Sequence, residues 1–230
     1  MKLSILIPVY NEEKSAKELI NIVKKTKLNN NIKKEIVVVD DGSSDNTLKV
    51  LKTIKGIKLV GHKKNSGKGA AIRTAIKHAT GDIIIIQDAD LEYDPKDYNK
   101  LIKPIIDKKY KVVYGSRRLN KNNKKHSGLA FYLGGNLMTL VTNILYPSAR
   151  LTDEATCYKV FDAKVLKSIK LKCKRFEFCP EVTAKVIKKG IKIHEIPISY
   201  YPRSIEEGKK INWKDGIEGI WTLLKYRVVR

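Results

Sequence analysis

Four acids at alternate positions follow an apolar run in Asp82-Ile-Ile-Ile-Ile-Gln87-Asp88-Ala89-Asp90-Leu-Glu92-Tyr-Asp94-Pro95. The β-branched run reads as a buried strand, and its abrupt stop delivers the acids to the strand's C-terminal end. Ligands of open α/β sheets bind at that end. Carboxylates on alternate residues suit one hard divalent cation, and Mg²⁺ is commonly held by one or two protein acids while substrate phosphates complete its shell. The chemistry implied is a metal-diphosphate site. Acids decorating a turn before a helix at Pro95 would be the plainer reading, but other chemistry-bearing segments accompany this one.

Two further strand ends carry polar groups. The first strand stops at Pro8-Val-Tyr10-Asn11-Glu12-Glu13 and the second at Val39-Asp40-Asp41-Gly42-Ser43-Ser44-Asp45-Asn46-Thr47. Carboxylates accept hydrogen bonds only, so acids there suit the ribose hydroxyls and ring N–H of a nucleotide. Asp40 and Asp41 read as such ligands, whereas Asn11 and Asp45 or Asn46 sit where helix N-caps belong. After the third strand comes Lys63-Lys-Asn-Ser66-Gly67-Lys68-Gly69-Ala-Ala71, a glycine-rich entry into a helix. It looks like a phosphate cradle but departs from P-loop spacing and lacks the following hydroxyl. Gly67 and Gly69 would let the backbone approach a nucleotide, with Lys68 adding charge.

The elements that must position these groups alternate. Strand-like runs at 3–9, 35–39, 57–61, 82–88 and 111–115 are separated by helical patterns at about 11–26, 46–54, 68–79 and 95–108. This rhythm predicts an α/β fold, a mostly parallel central sheet flanked by helices. Ala16, Leu19, Ile20 and Val23 give the first helix an inner face. From Ser127 to Ala149 the chain carries no charge, although Gly134, Gly135, Asn136, Thr139, Thr142 and Asn143 make it poorly apolar. Three readings fit: a membrane span, a helix lying in the membrane interface or lining a lipid-tail groove, and an ordinary buried helix. Trp213, Ile217, Ile220, Trp221 and Leu224 fall on one face of a last helix with Lys214, Lys225, Arg227 and Arg230 nearby, so that helix suits the core or a bilayer.

A chain of 230 residues with 42% hydrophobic content buries a core without needing to split. Cys157, Cys173 and Cys179 show neither a CxxC pair nor metal-ligand spacing, which fits a reducing cytosol. The start, Lys2-Leu-Ser-Ile-Leu-Ile-Pro8, enters a strand at once and has no signal-peptide pattern. Lys and Arg number 47 against 24 acids, a net +23 spread along the chain, which would attract anionic lipid surfaces or sugar nucleotides. No nucleic-acid-binding signature accompanies the charge, so no specific nucleic acid is expected.

Taken in order, Pro8-Val-Tyr10-Asn11-Glu12, Asp40-Asp41-Gly-Ser-Ser-Asp45, Gly67-Lys68-Gly69, Asp88-Ala89-Asp90 and Gly115-Ser-Arg117 resemble the family 2 glycosyltransferases of GT-A fold. More closely, the set is similar to dolichol-phosphate mannosyltransferases and polyprenyl-phosphate glucosyltransferases, over roughly residues 2–226. The resemblance implies that Pro8, Tyr10, Glu12, Asp40, Asp41, Lys68, Asp88 and Ala89 contact the nucleotide sugar. Asp88 and Asp90 would bind Mg²⁺ or Mn²⁺, helped by Glu92. Arg117 would match a phosphate-contacting arginine, and in Tyr201-Pro-Arg203-Ser-Ile-Glu-Glu-Gly208-Lys209-Lys210 the residues Arg203 and Lys209 carry over as diphosphate or acceptor-phosphate ligands. Asp153 would orient a sugar hydroxyl or else cap its loop against Lys159. An arginine usual before the acceptor-region helix is missing, and only Lys124, Lys125 and His126 stand there.

The expectation is a GT-A domain over 1–212, with a nucleotide-sugar half to about 117 and an acceptor half from about 118, followed by an amphipathic helix at 213–230. The expected reaction is metal-dependent, inverting transfer of mannose or glucose from GDP-mannose or UDP-glucose to a polyprenyl or dolichyl phosphate. Departure of the nucleoside diphosphate builds negative charge that the metal, Arg117, Arg203 and Lys209 would stabilise. An ionised phosphate acceptor needs no general base. A saccharide or glycoprotein hydroxyl acceptor would need one, from Asp153 or Glu154. The expected location is cytoplasmic, peripheral to an anionic membrane.

Overall fold

The computed structural model describes residues 1–123, 128–203 and 210–229. Seven strands, β1 (Lys2–Val9), β2 (Lys33–Asp40), β3 (Lys58–Gly61), β4 (Ile83–Ile86), β5 (Val112–Ser116), β6 (Lys159–Asp162) and β7 (Ile193–Pro197), form one sheet in the order β3-β2-β1-β4-β6-β5-β7. All neighbours run parallel except β6, which is antiparallel to both β4 and β5. Among the described residues eight α-helices flank it: α1 (Ala16–Lys25), α2 (Thr47–Lys52), α3 (Lys68–His78), α4 (Tyr98–Ile106), α5 (Leu129–Leu145), α6 (Ala163–Lys167), α7 (Phe178–Lys188) and α8 (Trp213–Val228).

Alternation in the strands explains the layers. Ile5 and Ile7 of β1 and Ile83 and Ile85 of β4 bury against Leu19, Ile20 and Val23 of α1 and Leu101 and Ile102 of α4. Leu6, Ile84 and Ile86 point the other way, into Ala71, Ile72 and Ala75 of α3 and Phe178 and Val182 of α7. A four-isoleucine strand is therefore what a sheet covered on both faces requires. Chain order reverses between β1 and β4, which puts the switch point, and so the ligand crevice, at the C-terminal ends of those two strands.

Over the described residues the uncharged stretch is neither a membrane span nor an ordinary buried helix. Among the described residues no helix is long and apolar enough to cross a membrane. Helix α5 buries Met138, Thr139 and Thr142 yet exposes Leu133, Leu137, Leu140 and Ile144 along the opposite side. Helix α8 packs on α5 and α7 through Gly219, Thr222, Leu223 and Tyr226, and leaves Trp213, Ile217, Trp221 and Leu224 exposed. Only Ile220 of the expected apolar face is drawn toward the core. The small and polar side of α8 is thus its docking side, because Gly219 leaves room for Met138 where a Cβ would lie 2.5 Å from its methyl carbon.

Candidate active site

Register brings the strand ends together. Val9 stands opposite Asp40, Leu6 stands opposite Ile86, and the Gln87 N–H donates to the Leu6 carbonyl at 2.9 Å. Pro8, Tyr10, Asp40, Asp41, Asp88 and Ala89 consequently share the switch-point edge.

Asn11 is not a helix cap. It adopts φ 48°, accepts from the Ser44 N–H at 2.8 Å and clamps the two loops, while Ser15 precedes α1. Asp45 closes a local turn by accepting from the Thr47 N–H at 2.9 Å, and Asn46 stands at the N-cap of α2 with its side chain bonded to Lys49 and not to the helix backbone. Asp41 accepts from the Ser66 and Gly67 N–H groups at 3.0 and 2.7 Å and lies 2.6 Å from His62 Nδ1. It pins the 62–67 loop. Asp40 is different: Oδ2 accepts from the Ser43 N–H at 3.3 Å, but Oδ1 is buried without a partner among the described residues. A buried acceptor left open in this way marks where a ligand's donor fits.

The glycine-rich segment is not a phosphate cradle. The Gly69 and Ala70 N–H groups at the start of α3 donate to the Arg175 and Lys174 carbonyls, both at 3.0 Å. A Cβ on Gly67 would lie 2.3 Å from the Lys174 oxygen, and one on Gly69 would lie 2.8 Å from the Arg175 oxygen. The glycines admit a neighbouring chain segment rather than a nucleotide. Lys68 reaches inward instead, 2.6 Å from Asp88 and 3.2 Å from Cys157 Sγ.

Gln87, fully buried, sets the turn that follows β4. Its Oε1 accepts from the Tyr98 and Tyr158 hydroxyls, each at 2.6 Å, and its Nε2 donates to the Asp88 carbonyl at 2.9 Å. Leu91 takes φ 62°, a left-handed conformation costly to a branched side chain, which turns Asp90 and Glu92 apart. Asp90 accepts from the Glu92 N–H at 3.1 Å. Burial, then the charges of Asp88 and Glu92, push the Asp90 carboxyl up to about 7 against the pull of Arg203. Burial alone would raise Asp88 as well, but the Lys68 ammonium overrides it and holds that carboxyl below the ordinary range.

Glu92 serves the segment after β7. It accepts from the Arg203 N–H at 2.9 Å and from the Tyr200 hydroxyl at 3.3 Å. Arg203 then spreads its guanidinium over Glu12, at 3.2 to 3.5 Å, and Asp90, at 3.3 Å. Lys210 adds a second cation on Glu12 at 2.7 Å and donates to the Tyr10 carbonyl. Lys209, expected on a phosphate, and Lys124, Lys125 and His126, which stand where an arginine is usual, lie outside the described residues.

Among the described residues no group of three or more His, Cys, Asp or Glu side chains gathers to hold a metal ion, so Asp88, Asp90 and Glu92 do not form a three-carboxylate cage. The donor set still fits a divalent cation. Asp90 is a hard oxygen ligand crowded by negative neighbours, and its counter-charge is a guanidinium at 3.3 Å. A cation there would complete its shell with diphosphate oxygens.

Across the edge, Arg117 and Asp153 are clasped: the Arg117 Nε and Nη2 donate to the carboxylate at 2.7 and 2.6 Å, and its N–H at 3.0 Å. The guanidinium also lies 5.1 Å from the Tyr200 ring centre. Asp153 does not cap against Lys159. That lysine, fully buried, donates to the Glu154 carbonyl at 2.6 Å. Glu154 is itself fully buried and accepts from Thr183 at 3.1 Å. Glu195 of β7 accepts from the Thr152 and Asp153 N–H groups at 2.6 and 3.0 Å, and Ser116 and Thr152 hydroxyls meet at 2.7 Å. Sequence reasoning passed over Gln87, Glu195 and Tyr200. The first two had a signal, a polar residue beside isoleucine in a strand or at its end.

Residues 4–169 match the sequence profile of glycosyl transferase family 2. A UDP-N-acetylglucosamine–dolichyl-phosphate N-acetylglucosaminyltransferase of Methanococcus voltae is 31% identical, over 90% of this chain and 89% of that protein. The dolichol-phosphate mannosyltransferase of Pyrococcus furiosus is 28% identical, over 91% of this chain and 59% of its own length. Among solved structures, glucosyl-3-phosphoglycerate synthase of Mycobacterium tuberculosis, in complex with Mn²⁺, UDP and phosphoglyceric acid, superposes with a TM-score of 0.77 at 18% identity, over 100% of this chain and 79% of that one. The chain belongs to glycosyl transferase family 2. Its fold is that of the GT-A glycosyltransferases.

Proposed function

We propose that the protein transfers a hexosyl group from a nucleoside-diphosphate sugar to a polyprenyl or dolichyl phosphate, with inversion at the anomeric carbon. The observation that carries this reading is the state of the two acceptor-side carboxylates. Asp153 is fully engaged by Arg117, and Glu154 is fully buried beside Lys159. Neither is offered as a general base, which a sugar or protein hydroxyl would need and an ionised phosphate would not. Relatives whose names specify dolichyl phosphate as acceptor support the same choice.

In this reading the open Oδ1 of Asp40 accepts from the nucleotide, and Arg203 and Lys210 bind the diphosphate. A divalent ion on Asp90, Mg²⁺ or Mn²⁺, would offset charge on the departing diphosphate. Asp88, neutralised by Lys68, then stays out of the metal's shell. The acceptor phosphate oxygen bonds to the anomeric carbon as the carbon–oxygen bond to the diphosphate breaks, and the electron pair leaves on the diphosphate. Arg117, fixed by Asp153 and stacked on Tyr200, presents positive charge to the incoming phosphate.

The acceptor's lipid tail calls for a membrane. The apolar stripes of α5 and α8, with Ile144 66%, Trp213 71% and Trp221 63% exposed, lie beside Lys214, Lys225 and Arg227, a pattern that suits peripheral attachment to an anionic bilayer. The test incubates the protein with Mg²⁺ or Mn²⁺, labelled UDP and GDP sugars including UDP-N-acetylglucosamine, and a short polyprenyl phosphate, then partitions products into organic solvent. Label in the organic phase from one donor is the expected result; label that stays aqueous with every donor refutes the acceptor assignment.

A further inference from the structure

The acids of the donor edge carry cations supplied by the chain itself, and two of these pairings differ in kind. Lys68 meets Asp88 at 2.6 Å from the first residue of α3, whose N–H groups are locked to the Lys174 and Arg175 carbonyls. The backbone under Lys68 is thus fixed, and its ammonium has a second partner in Cys157 Sγ at 3.2 Å. Arg203 comes from non-helical chain after β7 and divides one guanidinium between Glu12 at 3.2 Å and Asp90 at 3.3 Å. Those contacts are longer than the 2.7–2.9 Å of a tight charge-assisted bond. They describe an exchangeable cation on the one carboxylate suited to a metal.

We propose that in the donor-free protein Arg203 holds the place of the divalent cation at Asp90 and gives it up when a nucleoside diphosphate arrives. The inference rests on assigning Arg203 to the donor diphosphate. A guanidinium and a divalent ion cannot share the same carboxylate oxygen without like-charge repulsion. A diphosphate offers Arg203 bidentate acceptors in exchange for Asp90, so the arginine keeps an anionic partner while the carboxylate is freed. Metal and nucleotide then bind with positive coupling, and by linkage each strengthens the other by the same factor, on the order of 5- to 150-fold. The arrangement also keeps divalent ions from settling on Asp90 before a donor is present.

The test reads binding, not turnover. Free Mn²⁺ is followed by electron paramagnetic resonance in titrations of the full chain, with and without UDP or GDP and with no sugar donor or acceptor. In nucleotide-free protein, Arg203→Met should bind Mn²⁺ at least about fivefold more tightly than wild type. Arg203→Lys keeps the charge but cannot span Glu12 and Asp90, and should fall between them. Lys210→Met removes the same charge from Glu12 without touching Asp90, and should change Mn²⁺ affinity much less. Unchanged or weaker Mn²⁺ binding in Arg203→Met overturns the proposal, as does an equal gain in Lys210→Met, which would reveal a general field effect. Nucleotide affinity is measured separately in chelator. A loss in Arg203→Met supports the underlying diphosphate assignment, whereas no loss overturns that assignment and the exchange with it.

Discussion

Replacing Asp153 with Asn tests whether the clasp with Arg117 is an electrostatic anchor. The carboxylate is fully buried and receives three bonds from Arg117, so the variant leaves a guanidinium without its counter-charge. Breaking one partner of a buried pair costs about 3–5 kcal/mol. The Arg117 side chain is 21% exposed and Asn retains one acceptor oxygen, so water and the amide recover part of that, leaving about 2–3 kcal/mol. For a chain of this size the midpoint of thermal unfolding should drop by roughly 4–12 °C. The pH dependence fixes the cause. Burial would raise the Asp153 pKa, but Arg117 overrides it and holds the carboxyl below the ordinary range. A depressed folded-state pKa gives stability that is complete above the unfolded value, about 3.9, and is lost as pH falls through the folded value. Urea unfolding of both proteins from pH 7 to pH 3 should therefore show a gap that narrows below about pH 4. A gap under about 0.5 kcal/mol at pH 7, or one independent of pH, would falsify the electrostatic account.

Asp90→Asn should lower metal-dependent transfer about 10²- to 10³-fold while the fold, followed by circular dichroism, is unchanged; turnover within a few-fold of wild type removes Asp90 from the site. Gly67→Ala forces a side chain onto φ 93° and into the Lys174 carbonyl, and should destabilise by about 1–3 kcal/mol, whereas Gly61→Ala meets nothing within 4 Å and should stay within about 0.5 kcal/mol in the same urea titration. Equal effects at the two positions would mean that the close approach to residue 174 is not what selects glycine. Changing both Trp213 and Trp221 to Ser should weaken sedimentation with anionic vesicles by about tenfold or more, since each buried aromatic contributes about 1.5–3 kcal/mol. Unaltered sedimentation would exclude the α8 face from membrane contact.

Local pattern made the first five strands and four helices legible, because their apolar spacing repeats within a few residues. Strands β6 and β7 escaped notice for a physical reason. Lys159 and Glu195 place charged side chains in four- and five-residue strands; Lys159 bonds back to the Glu154 carbonyl, while Glu195 is satisfied by the Thr152 and Asp153 N–H groups brought in from more than forty residues away. The acids of the site were legible one at a time, since carboxylates at strand ends are rare without purpose. Their partners were not. Asp88 meets a lysine twenty residues before it and Glu12 meets an arginine from the far end of the chain. The Gly67-Lys68-Gly69 segment shows the same limit: spacing announced that backbone must come close to something, and only the tertiary arrangement identified the 174–175 segment.

The bonds joining Ser116 to Thr152 and Arg117 to Asp153 close off everything between them as a separate excursion from the sheet. Helix α5 belongs to that excursion and is tied back to the core beyond its base, because Met138 fills the space at Gly219 and the Tyr146 hydroxyl donates to the Leu223 carbonyl at 2.9 Å. Lengthening a flexible loop is cheap, each doubling adding only about 0.6 kcal/mol of closure entropy. Length changes in the loops of this excursion therefore transmit little to the register of β5 and β6, whereas changes in α5 itself are felt by α8. The geometry concentrates tolerance for change in the loops of this excursion and not in the helix that it carries.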